Sequence, residues 1–323
     1  MSREPVSLHM NDRAWAIADA MSSRASELRI GVRVLGNGAR VIDAGIAAPG
    51  GIGAGLELAM LCMGGFGHVS VASLQIAGET WPGLHVWTDH PAQSCMASQY
   101  AGWAVDPPGY FAMGSGPLRA IARVERELFA KLQYQEKPTR GVLVLETRSP
   151  PTADVAKWIA AKAGIAPDQL TLAVAPTASV AGGIQIVARV LETGLHKMDA
   201  IGFDVQRVSS ALGSAPVPPT ARNDVRAIGR TNDCILYGGQ ARYVVDAYDG
   251  ELEELVQRLP AAASSDYGTP FFEIFERYER DFYRIDPLLF SPAEVWLTSA
   301  SSGHTFHGGR IDAAVLRKSL YET

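Results

Sequence analysis

The sequence contains few cysteines and no long apolar run, and both absences restrict what the protein can be. Three of its 323 residues are cysteines, and Cys62, Cys95 and Cys234 lie too far apart for a Cys-x-x-Cys motif. We therefore expect reduced thiols, as in a cytoplasmic protein, and no disulfide framework. No stretch reaches the ~18 uncharged apolar residues of a membrane helix. Residues 1–19 also lack the apolar segment of a signal peptide.

An excess of basic charge is also missing. The 29 lysines and arginines are outnumbered by 34 acidic residues, so the net charge of −5 gives no indication of a nucleic-acid-binding surface. Hydrophobic residues make up 47% of the chain and charged residues 20%, which is typical of a globular protein with a sizeable core. The length favours two domains over one.

Most of the common cofactor and metal motifs are absent as well. The run Gly51-x-Gly53-x-Gly55 has the wrong spacing for a dinucleotide-binding loop, and there is no Walker A sequence or zinc-deaminase pattern. His304 and His307 are three residues apart, but the glycines around them are typical of a hairpin tip. The sequence therefore predicts no metal site.

The order of apolar runs and turn signals predicts a fold of the α/β class with mixed α+β character. We place an N-terminal domain at residues 1–150 and a C-terminal domain at 151–323, joined by a proline-containing link. A weak internal duplication is possible, because Ala48-Pro49 and Ala175-Pro176 each precede glycines and an apolar helix.

The most informative segment is a predicted helix over residues 182–198. It is largely apolar, yet Gln185, Arg189, Glu192 and His196 fall within about 60° of one another at ~100° per residue. One interpretation is an ordinary Arg–Glu pair on a surface face. The other is a polar wall of a cleft, in which Arg189 fixes Glu192 and keeps it ionised. The residues alone leave both open.

Two loops have a similar ambiguity. Gly114-Ser115-Gly116-Pro117 precedes a helix and offers amides and a hydroxyl to an anionic or carbonyl group, or it is a plain turn and helix cap. Asp89 follows a predicted strand and is either a site residue or the cap of the next helix. A phosphoryl-transfer enzyme using the Gly114 loop is disfavoured, since no acidic magnesium site accompanies it.

Six collinear segments between about residues 29 and 320 resemble methenyltetrahydromethanopterin cyclohydrolase: CMGGFGHV, TDHPAQSCMASQYAGW, YFAMGSGPLRA, APTASVAGGIQIVARVLETGLHKM, GRTNDCILYGG and SDYGTPFFEIFERYERDFYRIDPLLFSPAEV. The resemblance implies two α/β domains with a deep cleft between them, a homotrimer, and neither metal nor prosthetic group. It also implies catalysis by an arginine and a glutamate one helical turn apart, which match Arg189 and Glu192. The excess of arginine over lysine and the many alanines suggest a GC-rich bacterial genome, so the resemblance implies the version of a methylotroph rather than that of a methanogen.

By this resemblance, the substrate is a tetrahydromethanopterin derivative and water adds to its methenyl carbon. Glu192 is then the general base and acid, and Arg189 orients it. A pterin carrier or regulatory protein without turnover is the alternative, although binding alone does not require a base. Residues predicted to line the cleft are Gly64, Gly65, Asp89, Gly114, Ser115, Gly116, Thr177, Ser179, Gln185, Ser265, Asp266 and Tyr267.

Overall fold

The structure is a computed structural model that describes residues 8–281 and 284–321. The outer limits of the two predicted domains, and part of the N-terminal segment judged unlike a signal peptide, lie outside the described residues. The helices are α1 (Met10–Ser23), α2 (Ala25–Leu28), α3 (Ile52–Cys62), α4 (Leu118–Ala122), α5 (Arg126–Leu132), α6 (Ala153–Ala163), α7 (Val180–Val187), α8 (Val190–Ala200), α9 (Asp224–Leu236), α10 (Asp249–Arg258), α11 (Phe271–Arg277) and α12 (Ala313–Tyr321). A π-helix covers Ala92–Gln99.

The strands are β1 (Gly31–Val34), β2 (Arg40–Asp43), β3 (Gly67–Ile76), β4 (Glu79–Thr88), β5 (Trp103–Val105), β6 (Ala112–Ser115), β7 (Gly141–Glu146), β8 (Leu170–Ala175), β9 (Val208–Pro216), β10 (Gln240–Val245), β11 (Glu294–Ser299) and β12 (Thr305–Gly309). Over the described residues they form two mixed six-stranded sheets. Sheet A has the order β1-β2-β8-β7-β6-β5, and sheet B has the order β12-β11-β10-β9-β4-β3. This confirms the predicted α/β class with mixed character.

Both sheets take strands from both sides of residue 150. Strand β8 lies between β2 and β7 in sheet A, and β4 pairs with β9 in sheet B. Two sheets, each with its own packing, are consistent with two domains. The limits at residues 150 and 151 do not separate the sheets, however, and the assignment of domains to those limits stays a prediction, as does the duplication.

Sheet A is covered on both faces. Alternate residues of its parallel strands β7 and β8 enter two different cores, which is why these strands are continuous apolar runs. Val144 and Ala173 pack with α1 and α3 on one face, whereas Leu143 and Leu172 pack with α6 on the other. The result is a three-layer α/β/α arrangement.

Sheet B is buried on one face. Its strand β10 alternates buried and exposed residues, as expected of a sheet with one solvent-facing side. Helices α8, α9 and α10 contact its strands, and the core beneath it contains Val86, Ala211, Tyr243 and Leu297. The opposite face carries the exposed side chains of the sheet.

Turn and helix signals in the sequence predict a turn containing Pro82-Gly83, a helix opened by Pro91 and an extended loop over residues 214–220, and all three predictions were wrong in detail. The turn of the β3–β4 hairpin is Ala77-Gly78, with φ of +50° and +81°, and not Pro82-Gly83. Pro82 has no amide proton, yet it fits inside β4. Its carbonyl accepts from the amide of Val217, beyond the end of the ladder between β4 and β9, so no ladder bond on that side requires an amide proton from Pro82. The helix predicted from Pro91 is a π-helix. The first three residues of the predicted loop, 214–216, are the end of strand β9.

The helix predicted over residues 182–198 is broken between α7 and α8. Ala188 and Arg189 have ψ of −6° and +7°, and the amide of Arg189 bonds back to the carbonyl of Ile186, three residues earlier. Helix α7 places Ala181 in the core of sheet A, and α8 places Leu195 beneath sheet B. The break therefore lies where the two cores meet.

Candidate functional site

Arg189 occupies the break and lies beneath the surface. Its side chain is 8% exposed, and Nη2 donates to the side-chain oxygen of Gln185 at 3.1 Å and to the hydroxyl of Ser115 at 3.3 Å. Gln185 and Ser115 are themselves 1% exposed. Both partners are neutral, so they hold the guanidinium without cancelling its charge.

Cys62, at the end of α3, joins this cluster. Its thiol lies 3.3 Å from the hydroxyl of Ser115 and donates to the side-chain oxygen of Gln185 at 3.7 Å. Burial raises the pKa of the Cys62 thiol, although the nearby Arg189 lowers it. We infer that this thiol is protonated and closely packed. It is therefore a polar neighbour of Ser115 and Gln185 and not a nucleophile.

Glu192 lies one turn after Arg189 and is 4% exposed. Burial raises the pKa of its carboxyl to about 7, and the charges of Arg189 and Arg119 act in the opposite direction. Across the described residues, its carboxylate has neither a hydrogen bond nor an ion pair within 4.0 Å. It is thus a desolvated acid that changes its charge near neutral pH, and the interpretation of this stripe as a surface pair is wrong.

Arg119 was not identified from the sequence, although it is fully buried. It pairs with Glu125 at 2.6 Å and donates to the carbonyls of Met96 and Ser98 at 3.0 and 3.1 Å. Burial lowers the pKa of this guanidinium. Nothing in its local sequence distinguishes it, because its partners are not its neighbours in sequence. The two carbonyls belong to the π-helix, and Glu125 lies six residues later.

The π-helix at Ala92–Gln99 packs against α8, which carries Glu192. The amide of Tyr100 bonds to the carbonyl of Cys95 in the five-residue spacing of a π-helix. The side chain of Gln99 donates to the carbonyl of Ala188 at 3.1 Å, an acceptor that the break in the helix leaves available. π-Helical turns frequently occur at functional sites.

His196, the fourth residue of the stripe, is half-buried and stacks on the ring of Tyr100 with 4.8 Å between centroids. Burial lowers its pKa, which favours the neutral imidazole. It therefore packs beside the site and does not bond to Glu192.

Two further predicted residues, Thr177 and Ser179, follow β8. The hydroxyl of Thr177 donates to Glu146 at the end of β7, and that of Ser179 caps α7 by accepting from the amide of Gly182. Both line a cavity of about 210 Å³ between α7, the N-terminus of α3, residues 217–221 and α9. Arg189 and Glu192 are not among the residues that line this cavity.

The glycines predicted near the site have close neighbours. Gly64 turns the chain after α3, and a Cβ there would lie 2.8 Å from the Cβ of Met10. Gly114 and Ser115 lie on β6, and the amide of Gly116 bonds to the carbonyl of Ser98 at 2.7 Å. That amide is therefore not available to an anion. Gly65 holds Arg13 through its carbonyl at 3.1 Å.

The remaining predicted residues are not joined to this cluster by hydrogen bonds. Asp89 is exposed and accepts from Ser210 at 2.8 Å, and it does not cap the π-helix. Asp266 accepts from the amide of Asp286 and the hydroxyl of Tyr278, both at 3.0 Å, so it organises its own loop. Ser265 is exposed, and Tyr267 packs on the ring of Tyr237. Their role in binding stays a prediction.

Among the described residues, cysteines, histidines and carboxylates make no cluster of a kind that holds metals. The three cysteines are free and buried, as expected from their spacing. His304 bonds to Asp249 and His307 to Glu294, so the two histidines diverge. Residues 8–281 and 284–321 contain no group of three or more potential metal ligands, nor a helix of the length and hydropathy that a membrane crossing requires.

Comparison with known proteins finds relatives over nearly the whole chain. The model of the cyclohydrolase (MCH) family matches residues 9–320. Relatives named methenyltetrahydromethanopterin cyclohydrolase include one from Methylobacillus flagellatus, 45% identical over 297 residues, 92% of this chain and 90% of the relative. A second, from a Methylobacterium species, is 42% identical and covers 99% and 100%. A third, from Methanococcoides burtonii, is 38% identical and covers 97% and 98%.

Proposed function

The chain belongs to the cyclohydrolase (MCH) family, and we propose that it hydrolyses the methenyl bridge of methenyltetrahydromethanopterin to the formyl derivative. The observation that supports this reaction most directly is the match of the chain, over nearly its whole length, to relatives bearing that enzyme's name. We extend the proposal to the residues that carry the reaction, to a role in the one-carbon metabolism of a methylotroph, and to a homotrimeric assembly.

The substrate's methenyl carbon bridges two nitrogens that share one positive charge. Water adds to this carbon, and Glu192 takes a proton from the water as the carbon–oxygen bond forms. One carbon–nitrogen bond then breaks, the nitrogen receives a proton from Glu192, and the hydroxyl becomes the formyl carbonyl as it gives up its own proton. One proton is released overall, which balances the lost cationic charge.

A carboxyl with a pKa of about 7 suits both steps, because it exchanges protons readily in either direction at neutral pH. Its burial also favours binding of the cationic substrate, since opposite charges attract more strongly where water is excluded. Arg189 cannot be the base, because a guanidinium stays protonated. We assign it the position beside the attacking water, held there by Ser115 and Gln185.

Arg119 is a second cation that favours the ionised form of Glu192. It contacts the π-helix backbone rather than open space, so we assign it a positioning role. Thr177 and Ser179, which line the neighbouring cavity, are our candidates for contacts to more distant parts of the substrate. The other predicted contacts stay part of the proposal without a further argument.

Replacing Glu192 with glutamine tests the proposal. The variant keeps the shape of the side chain but cannot take up a proton, so we expect the rate to fall by about 10²–10⁴-fold. The reaction is followed by loss of the methenyl ultraviolet absorption, after subtraction of the rate without protein. Glu253→Gln, on the exposed side of α10, is the matched control and should keep full activity.

Two outcomes would contradict the assignment. If Glu192→Gln retains more than about a tenth of the activity, another group is the base. If the wild-type protein binds the methenyl pterin but does not turn it over, the alternative of a carrier is correct.

A further inference from the structure

Glu146, the last residue of β7, is a half-buried carboxylate without a cation beside it. The hydroxyl of Thr177 donates to one of its oxygens. Across the described residues, no lysine, arginine or histidine lies within 4.0 Å of this carboxylate, and Arg148, the next cation along the chain, is paired with Asp224. A half-buried charge without a counter-charge is costly for folding, and such exceptions are typical of places where a ligand binds.

The pairing of strands in sheet A places Glu146 on the same face as the residues around Arg189. Ser115, which bonds to Arg189, is directly beside Val144 in the ladder between β6 and β7. Val144 and Glu146 are two residues apart on β7, so their side chains point to the same face. The core packed on that face contains both Val144 and Cys62. Glu146 and Arg189 therefore approach one region of the molecule from two different elements.

The thiol of Cys62 is close enough to both groups to be affected by their charges. Burial raises the pKa of this thiol, the charge of Arg189 lowers it, and the charge of Glu146 raises it. Arg189 and Glu146 are nevertheless not joined by an ion pair, since the described partners of Arg189 are the neutral side chains of Ser115 and Gln185. The negative charge of Glu146 thus stays available to a ligand.

Thr177 connects Glu146 to the cavity beside α7. Glu146 pairs with Ala175 at the carboxyl ends of the parallel strands β7 and β8, and Thr177 follows Ala175 by two residues. Ligands of open α/β sheets commonly bind at this edge. Thr177 also lines the cavity of about 210 Å³. Glu146 is therefore one hydrogen bond away from the cavity, on the face of sheet A that also carries Ser115.

The carboxylate of Glu146 can accept more hydrogen bonds than the protein gives it. Its two oxygens offer about four acceptor positions, and Thr177 fills one of them. Two parallel N–H donors on a planar group fit a carboxylate best, because both bonds are then well aligned and charge-assisted. The pyrimidine edge of a pterin carries such a pair, the 2-amino group and the adjacent ring N–H, and this edge is at the end of the ring system away from the methenyl bridge.

We propose that Glu146 binds the 2-amino-pyrimidine edge of the pterin and that Thr177 holds its carboxylate for this contact. Glu146 then selects a 2-amino-4-oxo pterin, whereas Glu192 acts on the methenyl bridge at the other end of the ring system. This inference rests on the proposed function, because it identifies how the same substrate is recognised. It makes Glu146 a binding residue that transfers no proton in the reaction.

Glu146→Gln separates this role from a structural one. The amide oxygen of glutamine can still accept from Thr177, so a residue that only ties β7 to the loop after β8 would tolerate the change. Towards the pterin, the variant loses its charge and brings an N–H group against N–H donors. We expect KM for the methenyl pterin to rise about 10–100-fold while kcat changes less than about threefold. Glu253→Gln, on the exposed side of α10, is the matched control.

A substrate that lacks the 2-amino group tests the contact from the side of the ligand. Wild-type protein should convert this desamino methenyl pterin with a KM at least about tenfold higher than that of the amino substrate. In Glu146→Gln the two KM values should differ by less than about threefold, because the group that distinguishes the substrates is gone.

Variants of Thr177 test how the carboxylate is held. Thr177→Val removes the hydroxyl and should raise KM for the amino substrate about two- to tenfold. Thr177→Ser keeps the hydroxyl and should bind this substrate as the wild-type protein does.

The inference is overturned if wild-type protein converts the amino and desamino substrates with equal KM, a result that does not depend on the folding of any variant. It is also overturned if Glu146→Gln keeps the wild-type KM, whether or not kcat falls. These results leave the proposed function intact as long as wild-type protein converts the amino substrate. A wild-type protein that does not convert it refutes the proposed function and this inference together.

Discussion

The guanidinium of Arg189 lies 3.1 Å from the side-chain oxygen of Gln185, across the break between α7 and α8. A neutral amide thus fixes the buried arginine. A carboxylate in the place of that amide would have cancelled the positive charge. The positive charge stays available to Glu192, whose carboxyl is ionised more easily because of it. The relationship explains why the site has an arginine and a glutamate one turn apart that form no ion pair.

Replacing Gln185 should alter the titration of Glu192. We expect Gln185→Leu to loosen Arg189, so the acid limb of the rate profile moves to higher pH by up to about one unit, or about 1.4 kcal/mol. Gln185→Glu keeps an acceptor but cancels the charge, and should move the limb further. The measurement is kcat/KM against pH. Gln75→Leu, on the exposed side of β3, is the control, and superimposable profiles would refute the argument.

The rate itself should depend on pH through Glu192. Burial raises the pKa of this carboxyl to about 7, and hydrolysis begins from its ionised form. We therefore expect kcat/KM to rise as the pH increases through about 7 and then level off. The bound cation favours ionisation, so the limb in kcat should lie at lower pH. A profile that stays flat down to pH ~4.5, the range of an ordinary glutamate, would contradict this.

Asp233 makes stability depend on pH with a definite sign. Burial raises the pKa of this fully buried carboxyl to about 7, despite donors from the Phe271 amide and the Ser319 hydroxyl. A raised carboxyl pKa means that the folded state keeps a proton that the unfolded state has lost. Stability is therefore highest below the unfolded pKa and falls as the pH rises towards 7, by on the order of 4 kcal/mol.

Asp233→Asn should remove that dependence. In urea unfolding, the variant should gain stability relative to wild type between pH 4 and pH 7. Ser319→Ala removes a donor to the carboxylate and should therefore extend the decline in stability to higher pH. A constant difference between Asp233→Asn and wild type over this range would show that the carboxyl is not protonated in the folded protein.

Two adjacent glycines in α7 should respond oppositely to alanine. A Cβ on Gly182 would lie 1.9 Å from the carbonyl oxygen of Pro176, so Gly182→Ala must displace the first turn of α7. We expect a loss of about 1–3 kcal/mol in the free energy of unfolding. At Gly183 the nearest atom is 4.0 Å away, so Gly183→Ala should gain up to about 1 kcal/mol from helix propensity. Equal effects in urea unfolding would contradict this.

The sequence predicted the parts of the site that depend on local periodicity. Gln185, Arg189 and Glu192 share one side of an apolar segment, and all three are buried in the structure. The resemblance of the whole chain then identified the family. Arg119 could not be found in this way, because its importance comes from contacts with the π-helix and Glu125 rather than from spacing.

The secondary structure was also largely predictable, because it too depends on local patterns of residues. Apolar runs and turn residues identified most strands and helices. They did not reveal that β8 enters a sheet with β2, about 130 residues earlier, or that sheet B draws on both β4 and β9. Strand pairing is decided by burial between distant segments, and the same apolar pattern is compatible with several partners.

The sequence by itself therefore determined which segments are apolar, and that a polar stripe runs along one side of the segment at residues 182–198. Only the tertiary structure decided that the helix breaks at Arg189 and that neutral partners hold its charge. Periodicity is a property of neighbouring residues. Desolvation, which sets the charge of Glu192, depends on segments that become neighbours only on folding.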